Sequence, residues 1–334
     1  MLAFLVAKVH LGRVVPVWDH GTVLLLLGGV ALSALGILLS AVRWHRVLAA
    51  LEQPSRLRPL LSAYLAGQFV SNFLPSTIGG DALRISRLSA AGRGDVATPE
   101  TGPIPETGPG LRTAVVAGPG PTSGAVPAAF ASVVLDRMSG WLILPLLCLV
   151  GLAINPSLLH LGRSSRAAVS LSLVTLGALA LVVAVASSPR LGRRLVGHEG
   201  WRRCVGAVHL GLTRLRRRPA AAAQVVAASV LYQLAMVAAC LLAAHALGIR
   251  IGPTALLAFV PAVAIVQVLP VTVGGLGVRE GAFALFLAPL GVPTARAVAL
   301  GLALYAMHLL ASLLGAPAFA VGSRQRGVPA PLST

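Results

Sequence analysis

Long runs of apolar residues, separated by short polar stretches, dominate the chain. A helix needs about 20 mainly apolar residues to cross the roughly 30 Å of hydrocarbon in a bilayer. Full crossings are predicted at residues 22–42, 128–154, 167–188, 220–247 and 295–321. This pattern predicts an all-α, polytopic integral membrane helix bundle.

Composition supports that class. Hydrophobic residues make up 56% of the chain and charged residues 11%, and the mean hydropathy is +0.86. These values are far from those of a soluble domain. The three cysteines have neither metal-ligand spacing nor a disulfide framework, so no metal or redox role is predicted.

The formal net charge is +18, and Lys8 is the only lysine among 27 basic residues. Nucleic-acid binding is one interpretation of such a charge, but the arginines are concentrated between the apolar runs, where they orient a membrane protein. The segment 189–219 holds nine arginines and a single acid, Glu199. We predict that this basic loop is cytoplasmic and solvated; binding of anionic lipid is the alternative.

Counting crossings from that loop requires two further segments to enter and leave the bilayer on one side. Residues 59–89 would do so from the cytoplasm and residues 253–291 from outside, which leaves the C-terminal tail cytoplasmic. The predicted divisions are an N-terminal remnant of a further helix (1–21), the first span and first hairpin (22–91), a disordered Gly/Pro-rich cytoplasmic linker (92–127), the remaining spans with the basic loop and second hairpin (128–321), and the tail (322–334).

An internal repeat coincides with the two predicted hairpins. Residues 74–84 read LPSTIGGDALR and residues 269–279 read LPVTVGGLGVR, so both fit L-P-x-T-x-G-G-x-x-x-R. Opposed hairpins of this kind occur in inverted-repeat transporters, and irregular backbone is tolerated in a bilayer where it is buried or lines a cavity. The motif therefore predicts a polar site that includes Thr77, Gly79, Gly80, Arg84, Thr272, Gly274, Gly275 and Arg279.

The two motif arginines are candidates for binding a phosphate. Arg84 and Arg279 follow the glycine pairs near the start of a returning helix, where guanidinium and backbone N–H groups together favour an anion. The alternative is that both side chains only reach toward the membrane interface.

Acidic residues inside or beside apolar runs are rare and therefore informative. Asp81, Asp136 and Glu280 are the candidates, and adjacent residues on a helix point about 100° apart. Partners on other segments are therefore expected, as cross-pairs among Arg84, Asp136, Arg137, Arg279 and Glu280. The alternatives are a structural ion network or a proton-coupling role for Asp136 or Glu280.

Four further polar or aromatic residues complete the candidates. Asn72 and Gln267 precede the two LP motifs and could satisfy broken backbone or touch a substrate. Trp44 is interpreted as a belt or packing residue, and His308 as a histidine satisfied within the bundle. No metal site, cofactor site or nucleophile–base arrangement is predicted.

Four segments carry a resemblance to a known family: RWHRVL at 43–48, SNFLPSTIGGDALR at 71–84, SVVLDRMSG at 132–140 and LPVTVGGLGVREGAF at 269–283. In these segments the chain resembles the membrane domain of the lysylphosphatidylglycerol synthase family, whose members are often called flippase-like proteins. The resemblance implies a bundle with re-entrant segments and, for some relatives, movement of lipids or lipid-linked intermediates between leaflets. The soluble aminoacyltransferase domain of some relatives is not expected here. The long linker and the short N-terminal helix depart from the family pattern.

The resulting expectation is a plasma-membrane flippase that moves an anionic or lipid-linked headgroup, near the midplane, along Arg84, Arg137 and Arg279. Its partners would be membrane lipids, and it would be neither an enzyme nor a nucleic-acid-binding protein. Two other classes stay open: an integral membrane enzyme acting on a lipid, and a non-transporting membrane scaffold.

Overall fold

A computed structural model describes residues 19–53, 56–72, 78–94, 122–187, 201–267 and 275–324. These residues form helices and turns and include no strand, so the predicted all-α class is confirmed. The α-helices are α1 (His20–Ala50), α2 (Leu57–Ser71), α3 (Ile78–Gly94), α4 (Thr122–Ile154), α5 (Arg163–Ser187), α6 (Trp201–Arg217), α7 (Pro219–Ala246), α8 (Pro253–Gln267), α9 (Val278–Leu287), α10 (Thr294–Ser312) and α11 (Ala316–Arg324). Short 3₁₀ helices cover Pro156–His160, Ala288–Leu290 and Leu313–Gly315.

The five predicted crossings are confirmed in the described part of the chain. Five helical stretches there are long and apolar enough to span a bilayer: His20–Ala50, Val126–Ile154, Arg163–Val185, Pro219–Ala246 and Thr294–Ala320. Exposed leucines and valines on α1, α4 and α5 face outward. Such an apolar exterior suits hydrocarbon as the surrounding solvent.

The centre of the bundle is the packing of α1 on α7. Gly29, Ser33, Gly36 and Ser40 recur at helical spacing on α1 and are all buried. A Cβ at Gly36 would lie 2.6 Å from the terminal methyl of Met236 and 3.3 Å from the Tyr232 ring, both on α7, so a larger residue would displace these side chains. Small residues allow this close approach in membranes, where dispersion contacts replace the hydrophobic effect between helices.

In both repeats one described helix ends before the LP motif and another begins near the motif's glycines or after them. In the first pair, α2 and α3 cross so closely that a Cβ at Gly67 would lie 2.9 Å from the carbonyl oxygen of Gly80. In the second pair, α9 has 10 residues, or roughly 15 Å of helix, which is too short to cross a bilayer. That each pair enters and leaves on one side stays a prediction.

The basic segment 189–219 was predicted as a loop, and this is wrong for its second half, which forms α6. The helix is amphipathic: Gly206 and Val208 are buried, whereas Arg216 and Arg217 are exposed. The prediction failed because it required a long apolar run, whereas here an apolar stripe at a period of 3.6 residues supports the helix.

The linker bounds also need correction. Helix α3 continues to Gly94 and α4 begins at Thr122, so both ends of the predicted linker 92–127 are helical. The rest of that linker, and the N-terminal residues 1–18, lie outside the described residues.

Candidate functional site

Five charged side chains from three helices form a continuous chain of ion pairs, here called the ion chain: Arg43, Asp136, Arg84, Asp81 and Arg137. Asp136 on α4 accepts from Arg43 Nε on α1 at 2.7 Å and from Arg84 Nη2 on α3 at 3.0 Å. Arg84 Nη1 also donates to Asp81 at 3.2 Å. Asp81 in turn accepts from Arg137 Nε and Nη2 at 3.1 and 3.0 Å.

The interior of the ion chain is buried, and its end at Arg137 is partly exposed. The Asp136 side chain is fully buried, and the Arg43 and Arg84 side chains are 6% and 4% exposed. Arg137 at the end retains 34% exposure. An incoming anion would therefore meet Arg137 first.

Aromatic rings hold the central guanidinium in place. Arg84 Cζ lies 4.2 Å from the ring centroid of Trp44 and 4.4 Å from that of Tyr64. Trp44 is itself anchored, because its Nε1 donates to Ser132 Oγ at 3.1 Å. These contacts stabilise a cation in a place where hydration cannot.

Positive charge exceeds negative charge in the ion chain, which joins three guanidinium groups to two carboxylates. Among the described residues, Arg43 Nη1 and Arg84 Nε are buried without a hydrogen-bond partner. Gly140 makes room for the first of them, since a Cβ there would lie 2.8 Å from Arg43 Nη1. Unsatisfied buried donors are costly in apolar surroundings, and an anionic ligand would relieve that cost.

The second repeat builds a smaller polar cluster, consisting of Arg279, Glu280 and Tyr305. Arg279 Nη2 donates to Glu280 Oε1 at 3.0 Å, and its guanidinium lies over the Tyr305 ring at 5.1 Å. Glu280 is fully buried and also accepts from the N–H of Gly277, which caps α9. Gly301 on α10 lies against it, where a Cβ would be 3.1 Å from Glu280 Cγ.

A neutral hydrogen bond lies between the charged groups of the two repeats. Gln68 Nε2 on α2 and His308 Nε2 on α10 are 2.8 Å apart. Gln68 follows Gly67, which packs on Arg84, and His308 is one helical turn beyond Tyr305. The pair therefore connects the elements that carry the ion chain and the second cluster, and His308 is satisfied within the bundle.

The remaining predicted site residues have different placements. Gly79 and Gly80 begin α3, and Gly80 forms the close crossing with α2. Gly275 has a left-handed φ of 75° and faces Gln267 Oε1, which would lie 3.4 Å from a Cβ there. Asn72 ends α2, with a buried Nδ2 that has no partner among the described residues. Thr77, Thr272 and Gly274 lie outside the described residues.

The expected cross-pairing is present in one repeat and absent from the other. Asp136 and Arg137 each pair with residues on other helices, and the Arg84–Asp136 pair is present. Arg279 and Glu280 instead pair with each other, against the expectation that sequence neighbours diverge. That expectation failed because the long guanidinium arm can turn back alongside a glutamate in the first turn of a helix.

Sequence reasoning missed Arg43 and left two roles open for Trp44. Arg43 follows the first predicted span and so fell among the arginines that orient the bundle, yet it is buried and bonded to Asp136. Trp44 is a packing residue rather than a belt residue, since it is fully buried. A usable signal was present: Arg43 and Trp44 fall on the same apolar side of α1 as Ser40 and Val47.

Comparison with family models finds a match that covers most of the chain. The model described as the lysylphosphatidylglycerol synthase TM region matches residues 1–315 of 334. No curated protein and no solved structure matches the chain. The match and the five apolar helices together identify a multi-pass membrane protein related to lipid metabolism or transport.

Proposed function

Because the chain belongs to the family of the lysylphosphatidylglycerol synthase TM region, we propose that it moves a lipid with an anionic headgroup between bilayer leaflets. Lipid-linked intermediates fall in the same class, since they also carry a phosphate on a long apolar tail. The proposed cycle forms and breaks no covalent bond, so the protein acts as a transporter and not as an enzyme.

The observation that carries this proposal is the surplus of guanidinium over carboxylate in the ion chain. A purely structural network gains most when its charges balance, because each buried ion must recover its desolvation cost from partners. An excess cation with unpartnered N–H groups instead favours an additional anion, and a phosphate oxygen accepts from guanidinium in the geometry of a carboxylate.

In the proposed mechanism the phosphate first binds at Arg137, which is the accessible end of the ion chain. The phosphate then passes to Arg84 and from there to Arg279. The neutral Gln68–His308 pair lies between these two arginines. The acyl or isoprenoid tails stay in the surrounding hydrocarbon. Charge attraction at each step offsets the loss of headgroup hydration.

The test is leaflet exchange of a fluorescent phosphatidylglycerol in vesicles that contain the purified protein. Substitutions Arg137→Gln and Arg279→Gln are expected to slow exchange at least tenfold. Arg166→Gln is the matched control, because Arg166 is an exposed arginine on α5 whose Nε bonds the carbonyl oxygen of Gly162. Exchange that is unchanged in both site variants would remove the arginines from the mechanism.

We also propose a plasma-membrane location with the C-terminus in the cytoplasm. Arg214 Nη1 donates to the carbonyl oxygen of Leu51 at 2.7 Å, so the basic segment lies at the same end of the bundle as the end of α1. Both arginine-rich stretches then face one side, which the positive-inside rule assigns to the cytoplasm.

Single cysteines in a cysteine-free background test this orientation in intact cells. A cysteine within 95–121 should resist an impermeant maleimide, whereas one at the exposed position Gly252 should react. An accessible linker would overturn the topology with two re-entrant hairpins.

A further inference from the structure

The corner where α6 meets α7 holds the turn after α1 in place. Besides the Arg214 bond to Leu51, Arg218 Nη2 forms a 2.6 Å bond to Glu52 Oε1. Glu52 has a φ of 61°, a conformation that non-glycine residues rarely adopt. A Cβ at Gly211 would lie 2.8 Å from Leu51 Cδ2, so α6 packs directly on this turn. These contacts fix the turn after α1 against α6.

Exposed arginines surround this corner and outnumber the acid described there, Glu52. Arg46 near the end of α1, Arg56 and Arg58 at the start of α2, and Arg216 and Arg217 at the end of α6 are exposed. Glu52 is already engaged by Arg214 and Arg218. These five exposed arginines, called the basic rim below, carry charge that the described carboxylates leave unneutralised.

The arginines of the basic rim lie close to the ends of spanning helices, and this position indicates which ligand they bind. Arg216 and Arg217 precede Pro219, the first residue of a spanning helix, by three residues or fewer, which is about 5 Å of helix. Arg46 lies within the last turns of another spanning helix. Charges this close to the end of a spanning helix are expected at the level of the lipid phosphates.

The exposed apolar side chain of α6 fits the same ligand. Leu210 is 49% exposed, on a helix whose other exposed residues include Arg216 and Arg217. A helix with exposed leucine and exposed arginine is suited to the boundary between acyl chains and headgroups. An aqueous acidic partner would leave that leucine in water.

We infer that the basic rim binds anionic phospholipid headgroups of the adjacent leaflet, as a surface site separate from the ion chain. Headgroup phosphates would contact Arg216 and Arg217, and the acyl chains would lie against α6 and α7. This inference does not depend on transport, because the site holds boundary lipid whether or not lipid crosses the protein.

The test is electron paramagnetic resonance of spin-labelled phosphatidylglycerol and spin-labelled phosphatidylcholine, with the full chain in phosphatidylcholine vesicles. Wild-type protein should immobilise the anionic label preferentially. The double variant Arg216→Gln, Arg217→Gln should lower that selectivity by up to roughly fivefold per arginine, and salt should do the same. The double variant Arg216→Lys, Arg217→Lys should retain it.

Two controls make the outcome decisive. Arg163→Gln with Arg166→Gln removes two exposed arginines from the first turn of another spanning helix, α5, away from the basic rim, and should lower selectivity less than the α6 pair does. The double variant Arg216→Gln, Arg217→Gln should leave the leaflet exchange of fluorescent phosphatidylglycerol unchanged, which separates this inference from the transport proposal. Equal loss in the α5 pair, or full selectivity in the α6 pair, would overturn the inference. So would binding of an oligoglutamate peptide at the rim together with unchanged lipid selectivity.

Discussion

The two copies of the repeated motif share a sequence but not an arrangement of charges. In the first copy, Arg84 bonds carboxylates on two helices and belongs to a chain with surplus positive charge. In the second copy, Arg279 bonds its sequence neighbour Glu280, and the pair is neutral. One repeat therefore ties separate helices together, whereas the other stabilises the start of a single helix.

The two copies differ in the positions of the acidic residues relative to the motif arginine. Asp81 precedes Arg84 by one helical turn, and Asp136 reaches the same arginine from α4. In the second copy the position matching Asp81 is Leu276, and the acid follows the arginine instead. A repeat in sequence thus fixes the position of the arginine, while the neighbouring helices determine its partners.

The largest loss of unfolding free energy is expected from substitution of Asp136, the acid that joins α1, α3 and α4. Asp136→Asn would leave Arg43 and Arg84 without their shared counter-charge in a dry interior. Loss of one partner from a buried pair costs about 3–5 kcal/mol of unfolding free energy. Thermal unfolding in detergent measures it, with Ser312→Ala as a buried, uncharged control.

A smaller loss of unfolding free energy is expected from Glu280→Gln. The amide retains an acceptor for the Gly277 N–H, and only one guanidinium loses its counter-charge. The cost should be roughly 1–3 kcal/mol, the range for a buried group that loses part of its hydrogen bonding. A larger loss here than for Asp136→Asn would reverse the comparison between the two repeats.

A weak coupling energy is expected between Asp81 and Arg137, the ion pair at the partly exposed end of the ion chain. Asp81 and Arg137 are 19% and 34% exposed, so water screens their attraction. A double-mutant cycle with Asp81→Asn and Arg137→Gln should give a coupling of about 1 kcal/mol in unfolding free energy. A coupling as large as the loss in Asp136→Asn would show that Arg137 is locked into the chain and is not available to a ligand.

The smallest effect is expected at the aromatic face of the second cluster. Tyr305→Leu removes the ring over Arg279 but keeps an apolar side chain of similar bulk. A cation–π contact contributes about 0.5–2 kcal/mol, so the melting temperature should fall slightly. A loss that exceeds the one for Glu280→Gln would make the ring, and not the carboxylate, the main support of Arg279.

Apolar runs were sufficient to predict the spans, because a bilayer imposes both length and hydrophobicity on a crossing helix. The pair Arg84–Asp136 was also predictable, since buried charges in hydrocarbon need partners. Arg43 was not, because an arginine at the end of a span serves topology in most cases and its burial depends on α4. Helix α6 was missed for a related reason: its stability comes from contact with Leu51 and Leu135, which no local run reveals.

The close crossing of Gly67 and Gly80 has a mechanical consequence. With no side chain between the two backbones, α2 and α3 have no layer along which they can slide or part. The two helices should therefore move as a single lever. Because Arg84 is fixed to that lever by Gly67 and Tyr64, any swing of the lever changes the Arg84–Asp136 distance directly.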